Sequence, residues 1–99
     1  MAKIVWTRRS REDLASIEAF IARDAPRTAQ RFVNRLVRSV DRLARFPFSG
    51  AVVPELNRED VREVLYGSYR LFDRGTTRRV EILSVYHSAR LLDEDSFPL

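Results

Sequence analysis

Side chains able to transfer protons and to hold a phosphate group are concentrated in the last third of this 99-residue chain. His87 is the only histidine, and an ordinary pKa of about 6.5 suits it to carry a proton at neutral pH. Arg70 and Arg90 present planar guanidinium groups that bind phosphate oxygens in pairs. Tyr86 and Tyr69 offer phenols that stack on a base or donate a proton. Metal-independent cleavage of a phosphodiester requires a base, an acid and cations, and this set contains a candidate for each.

The same residues also have structural interpretations. His87 alternates on the same side of its strand as Leu83, so it could instead be a buried histidine bonded to the backbone. Arg70 could pair with a carboxylate on a neighbouring strand, either Glu63 or Glu81. At this point the catalytic and the structural interpretations both stay open.

Composition excludes several other kinds of site. The chain has no cysteine, which rules out a disulfide framework, a thiol nucleophile and a thiolate metal site, and we expect neither a metal nor a cofactor. Its N-terminus lacks the apolar run of a secretory signal, and no segment approaches the roughly 18 apolar residues that span a bilayer. The net charge is +4, and Lys3 is the only lysine among 18 basic residues. This charge predicts an acidic partner, either nucleic acid or an acidic protein segment.

The N-terminal part of the chain predicts one strand and one helix. The strand is "KIVW" at residues 3–6, which has branched and aromatic side chains. Ser10 precedes Asp13 by three residues, so the spacing predicts a capping box that starts the helix at Ser10. Apolar residues then recur at helical spacing, and Pro26 is expected to end this helix and to open the next.

The second helix has the clearest pattern in the sequence. Its apolar residues repeat at i, i+3 and i+4 from Ala29 to Ala44, and we expect the helix to end near "FPFSG" at residues 46–50. The opposite face carries six arginines. They are interpreted either as a solvated surface or as a binding surface for an acidic partner, the partner-binding candidates being Arg31, Arg35, Arg38 and Arg42.

The C-terminal part predicts a three-stranded meander. "VREVLY" at 61–66 and "YRLFD" at 69–73 are joined by Gly67-Ser68, which indicates a type II′ hairpin turn. The strand at 79–87 has apolar residues on both faces and is therefore expected inside the sheet. The tail after it is expected to be a short helical turn or disordered. We predict one α+β domain over residues 1–99, of order β-α-α-β-β-β, with a helical hairpin packed on a small, mainly antiparallel sheet.

This order of elements, together with particular motifs, resembles the RelE/ParE superfamily of toxins from type II toxin–antitoxin modules, and ParE-like members most. The resemblance covers nearly the whole chain. The motifs are "DLASIEAFI", "FPFSG", "PEL" at 54–56, "VREVLYGSYRLF" and "VEILSVYHSAR".

The resemblance implies two competing activities. ParE-like members bind DNA gyrase and block it, whereas RelE-like members cut messenger RNA on the ribosome. In the nuclease branch Glu55 of "PEL" would be a general base beside His87, Arg70, Arg90 and Tyr86. The catalytic lysines of the type member are missing here, which favours the gyrase inhibitor.

The resemblance also implies a cytoplasmic protein that forms a hetero-oligomer with a cognate antitoxin, whose C-terminal segment is often acidic. A third alternative comes from the arginine face alone, namely a basic nucleic-acid-binding module with no toxin role. No helix-turn-helix, zinc or RNA-recognition signature accompanies that face.

Overall fold

The structure is a computed structural model that describes the backbone of residues 1–99 and every side chain except that of Ser96. In chain order the elements are β1 (Lys3–Trp6), α1 (Arg8–Ala22), α2 (Pro26–Arg38), a 3-10 helix (Asp41–Ala44), β2 (Ala51–Val52), β3 (Arg62–Tyr66), β4 (Tyr69–Gly75), β5 (Arg79–His87) and a second 3-10 helix (Glu94–Ser96). Among the described residues, no helix is long and apolar enough to cross a membrane.

The five strands form one sheet in the order β1-β5-β4-β3-β2. β1 runs parallel to β5 and every other pair is antiparallel. The predicted α+β class and the interior position of β5 are therefore confirmed. β2, a two-residue edge strand, was not predicted, because two residues are too few to show an alternating pattern.

The turn between β3 and β4 has the predicted chemistry. Gly67 has φ of +56°, while Ser68 is not among the residues with positive φ. A type II′ turn needs positive φ only at its first central residue, and glycine adopts that conformation without steric cost. The turn pairs Tyr66 with Tyr69 across the hairpin.

The two helices cover one face of the sheet, which we call the helix face. There α2 and the 3-10 helix supply Leu36, Val40 and Leu43, which pack against buried residues of β3, β4 and β5. The opposite face has its own cluster, centred on Phe72 and Tyr86 and covered by the loop after β2 and by the C-terminal tail. The tail is thus ordered as a short 3-10 turn, the first of the two predicted alternatives.

A β-bulge changes which side chains of β5 share a face. Phe72 of β4 pairs with Ser84, but the next residue, Asp73, pairs with Ile82, so Leu83 is an extra residue in β5. Leu83 consequently packs in the cluster away from the helices. The expectation that His87 lies on the same side as Leu83 is wrong, because simple alternation fails at a bulge.

The start of α1 also differs from the prediction. The helix begins at Arg8, and its N-cap is Thr7, whose Oγ1 accepts a hydrogen bond from the Ser10 backbone N–H at 3.2 Å. Ser10 lies inside the first turn, fully buried, and donates from Oγ to the Thr7 carbonyl at 2.8 Å. Tertiary contact selects Thr7 as the cap, since its hydroxyl also lies 2.7 Å from the Ile82 carbonyl oxygen of β5.

The second helix is shorter than the apolar pattern predicted. α2 ends at Arg38, where the Ser39 hydroxyl donates to the Leu36 carbonyl at 2.6 Å and removes it from the regular helical pattern. A separate 3-10 helix follows at residues 41–44. Val40 and Leu43 are still buried, so the apolar rhythm continues although the α-helix does not.

α1 completes the edge of β5 where β1 stops. The pairing of β1 with β5 ends at Trp6 and Ile82, which leaves the later part of β5 without a neighbouring strand on that side. Asp13 of α1 accepts a hydrogen bond from the Val85 backbone N–H at 2.9 Å, and it pairs with Arg9 at 3.2 Å. A helical side chain therefore replaces a missing strand partner.

Replacing Asp13 by alanine should lower the free energy of unfolding by about 2 kcal/mol, because a backbone N–H loses a charged acceptor. Asp13→Asn, which keeps an acceptor oxygen, should lose less. The matched control is Glu12→Ala, which removes an exposed surface pair with Arg8 and should change stability by less than about 0.5 kcal/mol. Urea denaturation measures all three, and equal losses in Asp13→Ala and Glu12→Ala would contradict this role of Asp13.

Candidate functional site

A cleft of about 330 Å³ opens between α1 and the ends of β4 and β5 on the helix face. Ile17 and Val85 are among its apolar lining residues. Phe20 also lines the cleft, and 69% of its surface is exposed. The full lining is Asp13, Ser16, Ile17, Phe20, Tyr69, Val85, His87 and Arg90. An open cavity with apolar walls and cationic groups fits an apolar side chain that has an acidic neighbour.

His87 is exposed in this cleft, and the alternative of a buried histidine is wrong. Its Nδ1 accepts a hydrogen bond from the Ala89 backbone N–H at 3.0 Å, which places the proton of the neutral ring on Nε2. The ring meets Tyr69 edge to face at 5.2 Å between centroids. Tyr69 in turn packs on Phe32 of α2 at 5.5 Å, so the hairpin aromatics connect His87 to the helical layer.

Arg70 lies on the other face of the sheet and is bound by two glutamates, a group we call the Arg70 cluster. Its Nη1 and Nη2 bind the two carboxylate oxygens of Glu55 at 2.6 and 2.8 Å. Its Nε binds Glu63 at 2.6 Å, and Nη2 reaches the second Glu63 oxygen at 3.3 Å. The Arg70 and Glu63 side chains are only 12% and 7% exposed, whereas Glu55 is 41% exposed.

The charges of this cluster leave little capacity to bind an anion. The hydrogen bonds that Arg70 donates to Glu55, and then those to Glu63, raise the pKa of Arg70 above its ordinary value. The hydrogen bonds from Arg70 lower the pKa of Glu55 to about 2, which makes it a weak general base at neutral pH. Two carboxylates around one guanidinium also give the cluster a net charge of −1, which repels a phosphate.

The five candidate catalytic residues are therefore divided between two faces. His87 lines the cleft, while Arg70, Glu55 and Tyr86 lie on the opposite face, where Tyr86 is almost fully buried beside Phe72 at 5.4 Å. Arg90 connects the two sides, since it lines the cleft and its guanidinium also stacks on the Tyr86 ring at 4.1 Å. Their catalytic role stays a prediction, and the structure does not assemble them around one point.

The partner-binding candidates are also divided. Arg31, Arg35 and Arg38 lie exposed on α2, and among the described residues they have no carboxylate at ion-pair distance. Arg42 lies on the 3-10 helix, because α2 ends before it. Their predicted contact with an antitoxin is not tested by these positions and stays a prediction.

Arg42 faces a buried carboxylate. Asp73 is 2% exposed and its Oδ2 has no hydrogen-bond partner among the described residues. Burial raises the pKa of Asp73 to about 6, against the opposing positive charges of Arg62 and Arg42. Gly50, the last residue of "FPFSG", allows this packing, since a Cβ there would lie 3.1 Å from Asp73 Oδ2.

Comparison with known proteins identifies the family. Residues 4–92 match the family model described as the ParE toxin of type II toxin–antitoxin systems, parDE. The chain belongs to this ParE toxin family. It is therefore a type II toxin of the ParE/RelE superfamily, and the predicted family assignment is confirmed.

One curated relative and two solved structures resemble this chain over most of their length. This ParE-family chain is 34% identical to Toxin RelE2 of Caulobacter vibrioides, over 92% of its own length and 100% of the relative. Its fold matches a chain of the chromosomal ParDE system from P. aeruginosa with a TM-score of 0.74 at 23% identity, covering 88% of this chain and 96% of that one. A chain of the RelBE2 toxin–antitoxin complex from Mycobacterium tuberculosis matches with a TM-score of 0.58 at 25% identity, covering 87% and 96%.

The sequence did not predict the α1 side of the cleft or the full Arg70 cluster. Phe20 carried a weak signal, as an aromatic beside the apolar stripe of its helix rather than within it. Glu63 was one of two alternatives for pairing with Arg70, and the structure selects it, while Glu81 lies 3.9 Å from both Arg74 and Arg79. Among the described residues, no three His, Cys, Asp or Glu side chains group as a metal site requires.

Replacing Arg70 by methionine in this toxin should cost about 3–5 kcal/mol of stability, because Glu63 would stay buried without a cation. The double variant Arg70→Met/Glu63→Gln should recover much of that loss, since the uncompensated charge is gone. Glu55→Gln, at the exposed end of the cluster, should cost less than about 1 kcal/mol. Urea denaturation of the three variants gives these differences, and additive losses in the double variant would show that the Glu63 charge is not the cause.

The stability of the toxin should also depend on Asp73 titration. Its folded pKa of about 6 exceeds the ordinary value of 3.8, so the folded state binds the proton more tightly than the unfolded state. The contribution of Asp73 to stability is thus most favourable below about pH 4 and is lost as the pH rises through about 6. The free energy of unfolding should fall by about 2–3 kcal/mol over this interval.

Denaturation curves measured from about pH 4.5 to about pH 8 test this dependence. The Asp73→Asn variant should lose less stability than the wild type over this interval, because its side chain cannot release a proton. An unchanged pH dependence in the variant would exclude Asp73 as the titrating group.

Proposed function

We propose that this toxin inhibits DNA gyrase by binding it, as the ParE-like resemblance implies, and that a cognate antitoxin holds it inactive. The match over residues 4–92 to a ParE toxin model supports the ParE branch. On this proposal the toxin is not an enzyme, its place of action is the cytoplasm, and its resting form is a hetero-oligomer with the antitoxin.

One observation carries the choice of a binding activity over a nuclease. Cleavage of RNA requires a free cation where negative charge develops on the phosphate. Arg70 instead donates to both oxygens of Glu55 and both of Glu63. A phosphate that displaced those carboxylates would leave the buried Glu63 charge without its cation. The resting geometry therefore opposes phosphate binding by Arg70.

The cleft is the proposed docking site for part of the antitoxin. The exposed ring of Phe20 and the apolar Ile17 and Val85 would receive an apolar side chain, and Arg90 would attract an acidic residue beside it. Such a buried apolar anchor surrounded by charge is typical of the residues that dominate protein interfaces.

A ribosome-dependent RNA endonuclease is the second candidate, and one observation favours it. His87 is exposed beside Tyr69 and Arg90, so a proton carrier, a stacking ring and a cation do line one cleft. The relative named Toxin RelE2 lends this candidate further support. It would work with His87 and Arg90 on the helix face, while Arg70 and Glu55 would have no direct part.

A paired assay separates these two functions. Purified toxin at micromolar concentration should block the conversion of relaxed plasmid to supercoiled plasmid by gyrase, and His87→Ala should block it equally well. Excess antitoxin should restore supercoiling to both proteins. The same preparations are added to a translation reaction, and primer extension along the mRNA reports cuts.

The expected result is inhibition of supercoiling without cuts. Unimpaired supercoiling together with codon-positioned cuts, lost in His87→Ala, would overturn the gyrase proposal and establish the nuclease. In the same experiment Phe20→Asp should resist neutralisation by the antitoxin, whereas Leu65→Asp, an equally exposed apolar residue outside the cleft, should not.

A further inference from the structure

The exposed face of α2 has an unusual composition. It carries Arg27, Arg31, Arg35 and Arg38, which we call the arginine stripe, and the exposed positions between them are Thr28, Gln30 and Asn34. The helix contains no aspartate or glutamate. All seven side chains are types that bind phosphate or base edges in protein–DNA complexes.

Several exposed arginines lack a carboxylate partner among the described residues, Arg11, Arg23 and Arg78 among them, and the four of the stripe differ in forming one row along a single helix face. Elsewhere Arg8, Arg58 and Arg79 are also exposed, and each has a carboxylate partner at 2.6–3.9 Å. Among the described residues none of the four stripe arginines has one. Like charges spaced by three and four residues destabilise a helix, so a partner that neutralises them would relieve this repulsion.

Arg27 has a second unfavourable interaction, in addition to its repulsion by the other stripe arginines. It lies in the first turn of α2, where the helix dipole disfavours a positive charge. No acidic residue of the first turn and no side-chain cap offsets this charge. An anionic ligand along the helix would compensate for both the dipole and the mutual repulsion.

The geometry of the stripe suits a regular polyanion. From Arg27 to Arg38 the helix rises by about 16 Å in nearly equal steps of roughly 4.5–6 Å. Duplex DNA carries one phosphate charge for about every 1.7 Å of its axis, so a row of four cations of this length can reach several phosphates along a groove. The major groove, about 12 Å wide, admits a helix between its two phosphate-lined rims.

Other occupants fit the stripe less well. Single-stranded RNA is usually held by exposed aromatic rings, but Phe32 of α2 is packed against Tyr66 and Tyr69. The major groove of duplex RNA is too deep and narrow for a helix. An acidic protein segment would need apolar anchors for affinity, and the pocket of about 270 Å³ lined by Thr28, Arg31 and Arg35 offers one apolar wall, the half-buried Phe32.

We propose that the arginine stripe binds the phosphate backbone of double-stranded DNA. This activity goes beyond the proposed function, since it assigns the toxin its own binding surface for DNA whatever protein it inhibits. Binding depends on charge and spacing, and it does not require a particular base sequence.

Two triple variants with the same net charge test the proposal. Arg31→Gln/Arg35→Gln/Arg38→Gln removes three stripe charges, and Arg8→Gln/Arg58→Gln/Arg79→Gln removes three paired exposed ones, so both lower the net charge from +4 to +1. Fluorescence anisotropy with a labelled mixed-sequence DNA duplex of about 20 base pairs is recorded from about 50 to 200 mM salt. Thermal melts confirm that both variants are folded.

The stripe variant should bind at least about tenfold more weakly at low salt. The slope of the logarithm of its binding constant against the logarithm of the salt concentration should decrease in magnitude by about 2.7, or about 0.9 for each phosphate that is no longer neutralised. The control variant should keep the wild-type slope, and a single-stranded RNA of equal length should bind more weakly than the duplex. Equal losses of affinity in both triple variants would show that net charge alone accounts for DNA binding, and this result would overturn the proposal. So would stripe-dependent binding of a poly-glutamate peptide without stripe-dependent binding of DNA.

Discussion

The attachment of α1 to the unpaired part of β5 is the interaction on which the rest of the arrangement depends. β1 pairs with β5 only as far as Trp6, after which the chain must leave the sheet while β5 continues. Thr7 caps the new helix and also bonds to the Ile82 carbonyl, and Asp13 accepts the Val85 N–H. Two polar side chains thus attach α1 to the strand, and the cleft lies between α1 and His87, with Asp13 in its lining.

Strand alternation divides the chemistry of the chain between two surfaces, and the bulge in β5 decides that His87, and not Tyr86, faces the helices. Without the extra Leu83, the residues of β5 on either side of it would alternate in a single register. With it, His87 faces the cleft while Tyr86 packs with Phe72, on the side where Arg70 meets its glutamates. Residues that are neighbours in sequence therefore have different surroundings, an open cleft on one face and a buried ion cluster on the other.

Arginine has two distinct uses in this toxin. In the Arg70 cluster it holds a loop residue, Glu55, against a buried strand residue, Glu63, and so ties the segment after β2 to the sheet. On α2 the same residue type stands exposed and unpaired on a face that has no acid. The first use is structural and leaves a net negative charge that repels anions, whereas the second leaves a positive field for a ligand. Counting arginines by composition alone cannot separate these uses, because the difference lies in which carboxylates the fold brings near.

The periodicity of apolar residues determined the main elements, the helical layer and the interior position of β5, because burial requires one face of each element to be apolar. Local chemistry determined the Gly67 turn, and motif order determined the family. The sequence alone predicted Thr7 neither as the cap nor as the anchor of α1, because its hydroxyl bonds to Ile82 on a distant strand. It did not predict the break after Arg38, because the apolar pattern continues through the local hydrogen bond of Ser39 that marks the break. It could propose His87, Arg70 and Glu55 as one site but could not place them, because their faces depend on the pairing of Arg70 with Tyr86 across two strands and on a bulge that no local pattern marked. Tertiary structure alone decided which charges are paired, since ion pairing between residues distant in sequence, such as Glu55 and Arg70, depends on distances that only the folded chain sets.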